Sequence, residues 1–242
     1  MLDTSIKIVV LTGSGISVES GLSTFRGLGG IWDKYDPNKV CSLSGFIHDP
    51  ITAWKFNSEL YLQYAIAKSN IGHKSLVKLQ YYLYNGKLTI ITQNIDGLHQ
   101  AAGSENCIEM HGNIHRTRCN GCNYITNTNS IVCKFMSNST TPICPICGDL
   151  LRPDVVMFEE IPKYKQAIDM DILNCDYFIQ IGTSGKVRPA STLIYIAESI
   201  GAKSIILNKE KPDNITENSQ FYQCNSGNDI DKYIQLLING EI

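Results

Sequence analysis

The sequence predicts an α/β fold, a parallel sheet with helices on both faces, joined to a smaller domain built from two insertions. Three observations predict it. Strand-like and helix-like stretches alternate along the chain, several strand-like runs are apolar throughout, and two long stretches interrupt the alternation.

Taken in order, Ile6 to Thr12 is β-rich and ends at Gly13. Residues 31–72 look helical, since Pro50 suits a first helical position and Trp54, Phe56 and Leu60 supply apolar bulk. His73 to Leu83 carries Leu76, Leu79 and Leu83 on one helical face, and Lys87 to Thr92 is a short β-run. A short helix after Asp96, capped by Gly103, leads to a strand at Cys107 to Met110. Residues 114–151 are polar and rich in Asn, Ser and Thr. Asp176 to Ile181 and Ser204 to Leu207 read as buried strands, separated by a helix from about Ala190 to Ile200 that stops at Gly201. Ile230, Tyr233, Ile234 and Leu237, at i, i+3, i+4 and i+7, mark the last helix. The large domain is therefore expected over 1–30, 73–113 and 152–242, and the small one over 31–72 and 114–151. Ligand clefts favour such domain junctions and the carboxyl ends of parallel strands.

The 242 residues are 43% hydrophobic and 18% charged, with a net charge of −2. That balance offers no basic excess for a phosphate backbone, so a nucleic-acid partner is not expected. No run of ~18 apolar residues is present, and the apolar run Ile8 to Leu11 is too short for a secretory signal core. A cytoplasmic protein is expected; the oligomeric state is open, a monomer being compatible with everything above. Nine cysteines, four of them in two C-x2-C pairs, favour a metal site over a disulfide framework in such a chain.

The pairs are Cys119 with Cys122 and Cys144 with Cys147, separated by 21 residues, slightly more than the usual ribbon spacing. Two-residue spacing turns both thiolates of a knuckle toward one ion, and Gly121 and Gly148 loosen the turns. Four thiolates complete the tetrahedron of one structural zinc and leave no position for an activated water. A mixed site that uses His115 is the alternative, and Cys133 would be an unused neighbour.

Gly13-Ser14-Gly15 follows the first strand as a dinucleotide-binding turn would, although Val18 stands where the third glycine of a hydride-transferring dehydrogenase belongs. Glu19, Ser20, Thr24, Phe25 and Arg26 then form a mixed polar and aromatic loop suited to covering a nucleotide. Gln93, Asn94 and Asp96 end one buried strand, and Gly182, Thr183 and Ser184 end another. Small and amide residues at three strand ends point to one common site.

"GSGISVESGLSTFRG", "TQNIDGLH", "MHGN", the two cysteine pairs, "RPDVVMFEE" and "IGTS" stand in the order and spacing of the sirtuins, the NAD-dependent protein lysine deacylases. The chain resembles a bacterial-type sirtuin, departing in the first motif at Ser14, where alanine is usual. The resemblance implies a Rossmann-like large domain, a small zinc domain, and NAD consumed as a co-substrate. It implies that the Gly13-Ser14-Gly15 turn binds the pyrophosphate region of NAD, that Ile16 and Glu19 also belong to the NAD site, and that the Thr24-Phe25-Arg26 loop closes on the ribose. Gln93, Asn94, Ile95 and Asp96 would line the ribose and nicotinamide pocket. Gly182, Thr183, Ser184, Asn208, Glu210 and Ser226 would hold the adenosine half.

By the same resemblance His111 is the general base. The acyl-lysine oxygen captures the ribose carbon as nicotinamide leaves, giving an imidate, and a ribose hydroxyl deprotonated by His111 attacks it; a histidine pKa near 6.5 suits that step. Asn94 assists, and the products are nicotinamide, free lysine and O-acyl-ADP-ribose. Protein substrates carrying acylated lysines would lie along Val155, Val156, Met157 and Phe158. His48, His73, His99 and His115 read as structural. Gly27 to Trp32 and "AWKF" resemble the branch that includes acidic-acyl removers, in which a Tyr-x-x-Arg pair holds the acyl carboxylate. Here Asn57 and Leu60 take those places, so deacetylation, and removal of longer neutral acyl groups, is expected over desuccinylation. Mono-ADP-ribosyl transfer and a non-catalytic NAD-binding zinc module are the competing readings.

Overall fold

Lys7–Thr12 (β1) and Lys87–Thr92 (β2) run side by side in parallel, with Thr12 opposite Thr92. The computed structural model describes residues 1–27 and 29–242; Leu28, inside the Gly27 to Trp32 motif, lies outside the described residues. Cys107–Glu109 (β3) extends the sheet beyond β2. Gly112–Cys119 (β4), Ile125–Asn127 (β5) and Leu151–Val155 (β6) form a separate antiparallel sheet ordered β5-β4-β6. Tyr177–Ile181 (β7), Lys203–Asn208 (β8) and Gln220–Gln223 (β9) complete the first sheet, whose order is β3-β2-β1-β7-β8-β9, all parallel.

Strand order runs outward from β1 in one direction and from β7 in the other, so the chain changes direction between them. A cleft opens at the carboxyl ends of strands at such a switch point. Alternation along β1 accounts for its continuous apolar character. Ile8 and Val10 face the helices Ile71–Tyr82 (α4) and Gly227–Asn239 (α9), through Leu76, Leu79, Ile230 and Ile234. Val9 and Leu11 face Lys165–Ile172 (α7) and Leu193–Ser199 (α8), through Ile168, Leu193 and Ile194. A strand buried on both faces has no polar positions to alternate with.

The antiparallel sheet packs with Leu43–His48 (α2), Pro50–Tyr64 (α3) and Thr128–Asn138 (α6) in a core of its own. Trp54 and Phe46 are fully buried there, and Trp54 Nε1 donates to the Leu151 carbonyl at 2.9 Å. The short helices Pro37–Val40 (α1) and Leu98–Ala102 (α5) lead into α2 and out of β2.

Two local expectations need correction, and one stretch holds an element that the sequence left unassigned. The domain break expected between 151 and 152 cuts through β6, which pairs with β4. The strand was disguised because Arg152 and Asp154 are buried in it as ions. Arg152 is paired with Glu160 at 2.6 Å, and Asp154 with Arg116 at 3.1 Å and with Lys163. The polar stretch 114–151 contains the helix α6, whose Val132 and Phe135 are buried. The helix expected from Ala190 begins as a tight turn, Ala190–Thr192, before α8.

Candidate functional site

A cleft of about 1050 Å³ lies where β1, β2 and β7 end, roofed by residues of the small domain. That is at the upper end of small-molecule sites, so it has room for a dinucleotide. Gly13 and Gly15 approach Gly182 so closely that a Cβ would stand 2.7 Å from its carbonyl oxygen and 2.6 Å from its Cα, respectively. Only backbone fits there, which is what a pyrophosphate cradle requires. Ser14 and Ile16 line the same wall.

The polar floor is built from the end of β2. Gln93 continues the β1–β2 ladder by donating its amide to the Thr12 carbonyl at 2.9 Å. Asn94, which lines the cleft, donates from Nδ2 to the Gly13 carbonyl at 3.1 Å and to Ser17 Oγ at 3.2 Å, and its Oδ1 has no partner among the described residues. Ile95 also lines the cleft. Asp96 is set back from it, in an adjoining recess, because Ser17 Oγ donates to it at 2.7 Å and the Leu98 amide at 2.9 Å. Burial pushes the Asp96 carboxyl up, against the pull of those two donors.

His111 follows β3, lines the cleft and places Nδ1 3.1 Å from the Gln93 carbonyl. A carbonyl only accepts, so Nδ1 carries the proton and Nε2 keeps its lone pair. Burial lowers the His111 pKa, and the bond to Gln93 partly restores it. His115 is elsewhere: its Nε2 lies 3.0 Å from the Asp96 carbonyl. His73 and His99 are buried behind the floor, edge to face at 4.9 Å, and burial lowers them to about 4 and about 3.

At the other end, Thr183, Ser184, Asn208 and Glu210 line the cleft, with Asn208 Nδ2 donating to the Thr183 and Glu210 carbonyls at 3.0 and 2.9 Å. Glu19 accepts from the Gly227 amide at 2.7 Å, tying the turn to the start of α9. Ser226 lines the cleft while its hydroxyl accepts from Asp229 as the cap of α9. Thr24, Phe25 and Arg26 form a lip, anchored where Ile31 and Trp32 donate to the Thr24 and Phe25 carbonyls at 2.9 and 3.1 Å.

The roof includes Val155, Val156, Met157 and Phe158, of which only Val155 belongs to β6. Past it the chain stays tethered, Val156 donating to the His111 carbonyl and Phe158 to the Cys41 carbonyl, each at 2.8 Å. Asn57 and Leu60 of α3 line the roof too, among Trp32, Cys41 and Phe56. The sequence marks Trp32 and Phe56 only through the Gly27 to Trp32 and "AWKF" resemblance, Phe56 also as apolar bulk, and gives Ser17 and Cys41 no site role. Ser17 carried a readable signal, a hydroxyl two residues after the glycine turn, whereas Cys41 enters the cleft only through tertiary folding.

Away from the cleft, the four paired cysteines converge with all sulfurs within 4.8 Å of one another. Cys119 and Cys147 Sγ are 3.4 Å apart, Cys122 and Cys144 Sγ 3.7 Å. A tetrahedron with zinc–sulfur bonds of ~2.3 Å has edges of ~3.8 Å, so the set fits one zinc. The amides of Gly121 and Ile146 point at Cys119 and Cys144 Sγ at 3.3 and 3.4 Å, as donors stabilising thiolates would. His115 and Cys133 are outside the cluster.

The family model described as Sir2 family matches residues 13–189. An NAD-dependent protein deacylase of Trypanosoma brucei brucei is 38% identical over 211 residues, covering 86% of this chain and 84% of the relative. A crystal structure of a Sir2 homolog–NAD complex superposes with a TM-score of 0.82 at 29% identity, covering 98% of this chain and 91% of that one. A Sir2 variant with a deacetylated p53 peptide and 3'-O-acetyl ADP-ribose gives 0.84 at 30% identity, covering 98% and 94%.

Proposed function

Starting from a chain that belongs to the Sir2 family, we propose that it is an NAD-dependent protein lysine deacylase acting on acylated-lysine proteins, and within that class a deacetylase. The observation that carries the reading is His111, held by the Gln93 carbonyl with Nε2 unprotonated beside Asn94 and the glycine turn. NAD, when bound, supplies a ribose carbon made electrophilic by its cationic leaving ring. Gly13, Gly15 and Gly182 bind its pyrophosphate through backbone, and Asn208 and Glu210 take the adenosine side. Asn94, fixed by Gly13 and Ser17, orients the ribose side. His111 Nε2 accepts the proton of a ribose hydroxyl, and the aromatic roof excludes water. One water, taken up after the hydroxyl has attacked, releases the lysine amine, so the products are nicotinamide, free lysine and O-acetyl-ADP-ribose.

Zinc in the four-cysteine set is structural, with no coordination position left for chemistry. The cysteine set also supports a cytoplasmic location, since it needs reduced thiols. Incubating the protein with NAD and an acetyl-lysine peptide tests the reading: peptide-dependent nicotinamide release with loss of acetyl mass is expected, and neither with His111→Ala. Mass gain on an acceptor protein without acetyl loss would select ADP-ribosyl transfer instead. Neutral acyl groups are preferred because Asn57 and Leu60 offer no cation; succinyl turnover equal to acetyl turnover on one peptide would refute that preference.

A further inference from the structure

Asn57 sits in the middle of α3, 2% exposed, on the wall of the cleft formed by Trp32, Cys41, Phe56 and Leu60. An amide in an apolar wall is costly unless its polar atoms are paired. One is: Nδ2 donates to the Ala53 carbonyl one turn earlier, at 2.8 Å. A carbonyl cannot donate, so this bond fixes which way the amide lies and leaves Oδ1 as the other end. Among the described residues Oδ1 has no hydrogen-bond partner, and it is not fully occluded. Asn57 therefore brings an acceptor without a partner to the lining of the cleft.

We propose that Asn57 sets acyl specificity toward neutral acyl-lysines whose chain carries a hydroxyl, the hydroxyl donating to Asn57 Oδ1. The inference rests on the deacylase reading and adds the substrate class. A plain alkyl acyl group displaces water from Oδ1 and leaves it unpaired; a hydroxyacyl group replaces that water. A carboxylate at the same place faces an oxygen, and an apolar residue at 57 removes the distinction altogether.

The test uses matched peptides carrying propionyl- and lactyl-lysine, and butyryl- and 3-hydroxybutyryl-lysine, which set the hydroxyl at two positions along the chain. For each pair, the ratio of kcat/KM for the hydroxylated over the plain acyl group is measured in the wild type, in Asn57→Leu and in Asn57→Ala, the last a good helix former should leucine disturb folding. The expected result is a ratio about tenfold higher in the wild type than in either variant for at least one pair. Ratios within twofold of each other in all three proteins overturn the inference, as does a succinyl peptide turned over faster than either hydroxyacyl peptide. An acetyl peptide run alongside separates the two readings. Acetyl turnover with equal ratios removes only the role of Asn57, whereas no NAD-dependent turnover of any peptide removes the deacylase reading and the inference with it.

Discussion

The Gln93 carbonyl decides what His111 can do, because it holds the proton on Nδ1 and frees Nε2. Replacing His111 with alanine is expected to abolish peptide-dependent nicotinamide release while leaving the melting temperature within about 3 °C, measured by nicotinamide assay and thermal scan. Burial lowers the His111 pKa, so the imidazole is already neutral at pH 7 and the acid limb of kcat/KM should fall below pH ~6.5. His73 and His99 make a second pH prediction, about stability. Their folded pKa values, about 4 and about 3, lie below the unfolded value of ~6.5. Above pH ~6.5 both states are neutral and the folded protein keeps its full stability; as pH falls toward 4 the unfolded state takes up protons first. Each such histidine then costs about 1.4 kcal/mol per pH unit, with the buried Asp96 opposing in part. A denaturant midpoint that does not move between pH 7 and 5 would refute this. His111 stands out as the candidate base from its neighbours in the chain; its tautomer depends on a carbonyl 18 residues away in sequence.

Elements meet at the site through close backbone contacts. Gly13→Ala or Gly15→Ala would drive a Cβ into Gly182 at the switch point, so either should weaken NAD binding at least tenfold, read by calorimetry, with zinc content unchanged. Gly112 begins β4 at φ +82, where a Cβ would also collide with the Asp154 carbonyl. Gly112→Ala should cost about 1 to 3 kcal/mol in urea unfolding, since it strains the backbone and parts β4 from β6. β1, β2, β7 and β8 were legible because burial on both faces keeps a strand mostly apolar, with only single neutral polar residues such as Thr89, Gln180 and Ser204 inside. β6 was not, because Arg152 and Asp154 are tolerated there only by ion pairs with Glu160, Arg116 and Lys163, which no local pattern reveals.

For the molecule as a whole, the cysteine cluster and the cleft are joined by one core, in which Cys119 and Cys144 pack with Trp54, Leu60, Phe135 and Met157. Removing zinc with a chelator, or replacing Cys144 with serine, should therefore collapse the small domain and with it the cleft roof. One zinc per chain in the intact protein, and loss of deacylation together with near-ultraviolet circular dichroism after chelation, is the expected outcome; retained activity at zero zinc would contradict it. The sequence by itself announced the α/β class, the four-cysteine set that fits one zinc, the glycine turn and the candidate base His111. Each is announced by residues close together in the chain, where spacing and side-chain chemistry are the whole signal. Only the tertiary structure decided that Asp96 stands behind the cleft, that β6 belongs to the small sheet, and that Asn57, lining the cleft, keeps an Oδ1 with no partner among the described residues. Those outcomes depend on which distant backbone carbonyl, hydroxyl or counter-ion satisfies a buried polar group, and partners far apart in the chain leave no periodicity to read.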